Sequence, residues 1–317
     1  MIAAALRLLG KHARWTLPVG VCTGIVFPAL AEALQSLVLA AMIGMITVSL
    51  LRLEWSALIA TLRQPARIGW VTVCTMVISP VAVWLLARVG VIPEAFTVLS
   101  VLQAASAPIG SAAAFALFLG IPGHLSMAGT VVMTLMLPIT LTATASLLLP
   151  SFGITVDLGQ FFVRVTLSAL APFVITLLVR RLAGEATLRR VDPELAGLNV
   201  VLLVLFAIAI MNGVTATFLE RPAFILALFA WSCFAAVFWH IAGYMLLRAK
   251  GFENALSSSL LMGNRNLGLT LAVTAGTAGE AFQMYAGLAQ IPLFCAPLLL
   301  SGVLRFLGAR RPGAPRP

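Results

Sequence analysis

The chain has 317 residues, 61% of them hydrophobic and 9% charged, with a net charge of +10 and a mean hydropathy of +1.08. That composition excludes a water-soluble globular domain and predicts a polytopic membrane protein. It also argues against a nucleic-acid partner, because the cations are spread over alternate loops instead of forming one basic patch.

Ten apolar stretches, each near the ~20 residues that a bilayer-crossing helix needs, are expected at 15–31, 35–51, 69–87, 93–119, 125–149, 158–179, 196–213, 222–247, 254–278 and 283–307. The first ends in Ala29-Leu30-Ala31, which resembles a signal-peptidase site. Cleavage there would leave nine spans and spoil the repeat described below, so the first span is read as retained. Sixteen of the twenty Lys and Arg fall near 7–14, 52–67, 180–190, 248–250 and 305–316, on one side of this plan. The opposite loops hold only Arg88 and Arg221. The bias places both termini in the cytoplasm and the chain in the inner (plasma) membrane, with weak attraction for anionic lipid as a by-product. Arg164 lies near the outer end of its span, where it can snorkel. All ten Asp and Glu map to loops or span ends, so mid-membrane holds no carboxylate of the kind a cation pathway uses.

The fourth span contains Ser106-Ala107-Pro108-Ile109-Gly110-Ser111. Proline removes a backbone donor and clashes with the preceding turn, so the helix should part there. The ninth contains Gly263-Asn264-Arg265-Asn266-Leu267-Gly268. Glycine costs a helix backbone order, and Asn competes for its hydrogen bonds. In lipid such a sequence is tolerable only where the backbone is buried in protein or lines a cavity. A simple kink in the fourth span and a packed polar face in the ninth are the plainer alternatives. Two discontinuous helices at the midplane are the arrangement of a transporter binding site.

An internal offset of 154 residues places Pro18 on Pro172, Pro138 on Pro292, Gly110 on Asn264 and Ser111 on Arg265. With five spans per half the repeats are inverted. The expected fold is therefore an all-α polytopic membrane protein. Its ten transmembrane helices form two inverted five-helix repeats, residues 1–155 and 156–317, with broken, crossing fourth and ninth helices. The second half-helices begin near Gly110-Ser111 and Asn266-Leu267, and their N-terminal ends favour an anion. Gly110, Ser111, Arg265 and Asn266 are the candidate substrate-binding residues. Arg265 lies roughly 18 Å from either end of its span at 1.5 Å per residue, too far to snorkel. Two roles stand for it: a direct anion contact, or a tie to the carbonyl ends of the half-helices. His240 reads as a hydrogen-bonded packing residue. The four cysteines read as small buried hydrophobes, neither disulfides nor metal ligands. No metal, cofactor or nucleotide motif is present, so an enzyme is not expected. The tail 311–317 should be disordered.

The pattern Ala107-Pro108-Ile109-Gly110-Ser111-Ala112, with Gly263-Asn264-Arg265-Asn266-Leu267-Gly268-Leu269, resembles the bile acid:sodium symporter family. Leu17-Pro18-Val19-Gly20, the Pro80 span and the ten-span plan fit as well. The resemblance implies a core domain of spans 3–5 and 8–10, a panel domain of spans 1, 2, 6 and 7, and transport of organic anions such as bile-acid-like or pantothenate-like carboxylates. It puts the family's crossover Asn at Asn266 and its fourth-span Thr at Ser111. Two hydroxyl ligands of its sodium sites fall on Ser126 and Thr130. Other ligand positions carry residues that cannot serve: Ala113 and Ala114 for a Ser-Asn pair, Leu261 for a Glu, Arg265 for a Gln, and Thr75 near a third-span Gln. Sodium is therefore a doubtful partner, and Ser126 and Thr130 form at most a degenerate cation site. The expectation is a secondary transporter of small organic anions, with sodium coupling undermined by these departures. The alternatives are a sodium-independent or proton-linked exporter and a membrane sensor that binds without transport.

Overall fold

The computed structural model describes residues 2–11, 13–53, 55–274 and 277–306. Glu54 and the tail 311–317 lie outside the described residues, as do the side chains of Lys11, Arg14, Pro18, Ala114 and Arg305. Among the described residues every regular element is helical. Among the described residues, seven helices are long and apolar enough to cross a bilayer: Pro28–Leu51, Pro65–Arg88, His124–Leu147, Leu158–Ala183, Asp192–Glu220, Pro222–Lys250 and Gly279–Leu304. Lipid as the surrounding solvent explains their outward faces. On Leu158–Ala183, for example, Val163, Leu167, Val174 and Leu178 recur at helical spacing and are all more than half exposed.

The other three expected spans are occupied by shorter helices. The first ends at Val26, five residues before the expected limit, because Phe27 leaves the helical region (φ −117, ψ 73) and Pro28 opens the next helix. The fourth is the pair Glu94–Ala105 and Ala112–Phe118, and the ninth is Phe252–Gly263 and Leu267–Thr274. Both therefore part where proline, glycine and asparagine predict it. Pro138 and Pro172, by contrast, sit inside unbroken helices. The first break is six residues (106–111) and the second three (264–266), and Pro108 faces Arg265 across them.

Asp192–Ala209 packs on Ile2–Lys11, Ala13–Val26 and Val38–Leu51, and the last of these also packs on Leu158–Ala183. Pro222–Leu247 runs along Phe252–Gly263. Of the ninth span, Leu267–Thr274 meets the first set at Val38–Leu51 and Leu158–Ala183, while Phe252–Gly263 belongs to the second. All four cysteines are free, but Cys74 alone is buried; Cys22 is exposed and Cys233 and Cys295 are half-buried. The expectation of burial fails for Cys22 because its helix turns that position outward.

Candidate functional site

The two breaks meet as a single antiparallel bridge between Pro108 and Arg265. Ile109 N–H donates to the Asn264 carbonyl at 2.8 Å, and Asn266 N–H donates to the Ala107 carbonyl at 2.7 Å. Each break supplies the partner that the other lost with its helix, as buried backbone requires. Side chains tighten the crossing: Ser106 Oγ and Thr270 Oγ1 lie 2.6 Å apart.

The pairing consumes donors that the half-helix ends would otherwise offer an anion. Ala112 N–H donates to the Ile109 carbonyl, and Leu269 N–H donates to Asn266 Oδ1 at 3.1 Å. Asn266 is therefore the N-cap of Leu267–Thr274, with Nδ2 as the side-chain donor left for a ligand. The Ala112–Phe118 helix has only seven residues, so little dipole stands behind Gly110 and Ser111.

Arg265 is 1% exposed and is the largest fully buried side chain among the described residues. Its Nε donates to the Met262 carbonyl at 2.8 Å. Nη1 donates to the carbonyls of Thr75 at 3.1 Å and Ser106 at 2.9 Å. Nη2 donates to Ser79 Oγ at 3.3 Å. The Trp239 ring lies 5.4 Å from Cζ and faces the cation. Ser106 closes the first half of the fourth span, and Met262 lies in the last turn of the first half of the ninth. The guanidinium thus sits where two helix dipoles end negative.

The third carbonyl has a local origin. Residues Cys74–Ile78 form a π turn, in which Ser79 N–H bonds Cys74. The next N–H in that pattern belongs to position 80, which is proline and has none. Thr75's carbonyl is thereby released, and Arg265 and Ser79 Oγ (2.6 Å) take it. Of the two sequence-level roles for Arg265, the geometry is that of the tie. Neither cavity described below counts Arg265 among its walls.

The remaining candidates face a cavity of about 160 Å³ beside the crossing, lined by Ser49, Gly110, Ser111, Thr130, Thr134 and Asn199 among others. A recess of about 10 Å³ joins Gly110, Ser111 and Asn199 to Asn266. Gly110, Ser111 and Asn266 are therefore brought together, and Arg265 lies behind them. Ser126 and Thr130 are separated in role. Thr130 lies on the cavity wall and donates to the Ser126 carbonyl at 2.8 Å, while Ser126 is fully buried and its Oγ has no partner. Leu261 occupies the space next to them, packed so closely on Gly129 that an added Cβ would lie 2.6 Å from its Cδ1.

The cavity shares Arg52 and Leu53 with a vestibule of about 600 Å³ that also holds Trp55, Arg180 and Arg189. Arg52 pairs with Asp192 at 2.8 Å, and Arg180 and Arg189 pair with Glu185. Past the crossing, two contacts join the helices. Gly268 packs against Phe206 so tightly that a Cβ would sit 2.5 Å from the ring, and Asn212 Nδ2 donates to Gln35 Oε1 at 2.8 Å. His240 is a packing residue: Nδ1 donates to the Ala236 carbonyl at 2.7 Å, leaving Nε2 to face Asn264 Nδ2 at 3.3 Å.

Sequence reasoning named Thr75 only as a position near a sodium-site Gln and missed its carbonyl's role, and it missed Ser79 and Asn199 altogether. The Ser79-Pro80 pair was a signal for a released carbonyl one turn earlier. Asn199 was visible as the lone amide in an otherwise apolar helix beyond its first turn. Comparison with models of known families, and with curated proteins one by one, gives no match.

Proposed function

We propose that the chain is a secondary transporter of small organic anions, of the bile acid:sodium symporter type, that works without bound sodium. The observation that carries this reading is the Arg265 cage. Three backbone carbonyls and a hydroxyl, the oxygens a desolvated sodium ion would need, are already bonded to a guanidinium that belongs to the chain. A sodium ion about 4 Å away would meet repulsion of about 4 kcal/mol at an effective dielectric of 20. Leu261 and Ala113 provide no carboxylate or carbonyl side chain to offset it. The fixed cation holds the crossing closed and keeps its surroundings positive, so an anion can enter with no co-ion.

In this reading the ten spans form two inverted repeats, and the breaks of the fourth and ninth make the substrate site. Ser111 O–H and Asn266 Nδ2 hold the carboxylate, at the positive end of Leu267–Thr274. The vestibule, with Arg52, Arg180 and Arg189 against Glu185 and Asp192, is the cytoplasmic entrance, as the loop-charge bias implies, and its small cationic excess favours anions. Transport then consists of opening the Gly268–Phe206 contact while the vestibule side closes. A thermal-shift screen of short organic anions on the purified protein, run in sodium and in potassium, tests this. Stabilisation by at least one anion, equal in both salts, is expected. Stabilisation by sodium alone would refute it.

A further inference from the structure

The walls of the inner cavity contain two buried polar atoms that no protein group satisfies: Ser111 Oγ and Asn199 Oδ1. They also share the smaller recess that reaches Asn266. A buried amide oxygen without a donor is costly, and more so in a membrane interior. Asn199 stands on Asp192–Ala209, whose sequence beyond the first turn is otherwise apolar. Nothing about packing that helix calls for an amide there. Ser111 stands opposite, at the end of the first break.

The two orphaned groups differ chemically. A hydroxyl both donates and accepts, whereas a carbonyl oxygen only accepts. A plain carboxylate satisfies Ser111 O–H and Asn266 Nδ2, and it leaves Asn199 Oδ1 unpaired beside negative charge. With the amide held as it stands, Oδ1 towards the cavity, a ligand that also carries a hydrogen-bond donor satisfies both walls. The cavity holds about 160 Å³, so the anion is short. Building on the transport reading, we propose that Asn199 is a specificity-determining residue. It accepts a hydrogen bond from a hydroxyl or amide N–H next to the carboxylate, and so selects short hydroxy- or amido-carboxylates over their unsubstituted analogues.

The test uses matched probes on the purified full-length chain: lactate against propionate, and 2-hydroxyisovalerate against isovalerate, with apparent affinities taken from thermal-shift titrations. The hydroxylated member of each pair should bind at least about fivefold more tightly, the worth of one net hydrogen bond. Asn199→Leu should bring that ratio to about one by weakening the hydroxy acid. Ser111→Ala should weaken both members of a pair together. Should the leucine variant not fold, Asn199→Ala, which withdraws the acceptor with less added bulk, is read for the same loss of ratio. A ratio near one in the unmutated protein, or a ratio unchanged by the substitutions, overturns the proposal and leaves anion transport standing. Failure of all four acids, and of every anion in the wider screen, overturns both.

Discussion

Arg265→Met removes the guanidinium and leaves a side chain of similar length. The Met262 and Ser106 carbonyls then lose their side-chain donor inside the crossing, and the Thr75 carbonyl keeps only Ser79 Oγ. Each orphaned acceptor costs about 1–3 kcal/mol. Deleting one member of a buried charged set typically costs about 3–5 kcal/mol, because relief from burying the charge offsets part of the loss. At about 2–4 °C per kcal/mol for a chain of a few hundred residues, the melting temperature should fall by roughly 10 °C. Arg265→Lys keeps the charge but not the planar fork that reaches Met262 on one side and Thr75 and Ser106 on the other, so it should recover less than half of the loss. Both variants are compared with the unmutated protein by thermal denaturation in the same detergent. A melting temperature for Arg265→Met within about 2 °C of the parent would refute the cage as the tie between the breaks.

Other substitutions separate binding from scaffolding. Asn266→Ala removes the N-cap of Leu267–Thr274 and should cost about 1 kcal/mol of stability, while weakening anion binding by tenfold or more in the same titrations; unchanged affinity in a folded variant would remove Asn266 from the site. Gly268→Ala places a Cβ against the Phe206 ring and should cost about 1–3 kcal/mol in the closed form, read as a lower melting temperature together with slowed anion exchange. Normal stability and flux would show that this contact is not the outer seal. Reporter fusions at residues 60, 155 and 187 should report cytoplasm, periplasm and cytoplasm; periplasmic activity at 187 would invert the membrane orientation.

The positions of both helix breaks were legible because their cause is local: proline, glycine and asparagine act on their own turn. Pro108 and the Gly263–Gly268 run marked them within a few residues. Which residues face each other across the breaks was not legible, since a repeat offset matches equivalent positions and says nothing of contacts. Arg265 was recognised as unusual from its depth alone. Its partners, however, are carbonyls, which have no signature in residue type. The release of Thr75's carbonyl depends on a π turn one helix away, and only Pro80 hinted at it. Asn199 escaped notice because a single amide in an apolar span reads as packing until the cavity beside it is seen. The Ser126 and Thr130 pair shows the opposite case: their i, i+4 spacing was correct for shared geometry, yet Leu261 against Gly129 fills the adjoining space.

The most direct measurement is anion flux into proteoliposomes loaded and bathed in either sodium or potassium, at fixed membrane potential. The expected result is uptake of a short carboxylate that requires the protein, proceeds at the same rate in both salts, and falls at least tenfold in Asn266→Ala. A reproducible sodium-specific rise in rate would contradict the placement of Arg265 as the chain's own cation and return it to ordinary symport. Binding with no flux in either salt would make the protein a sensor instead of a transporter.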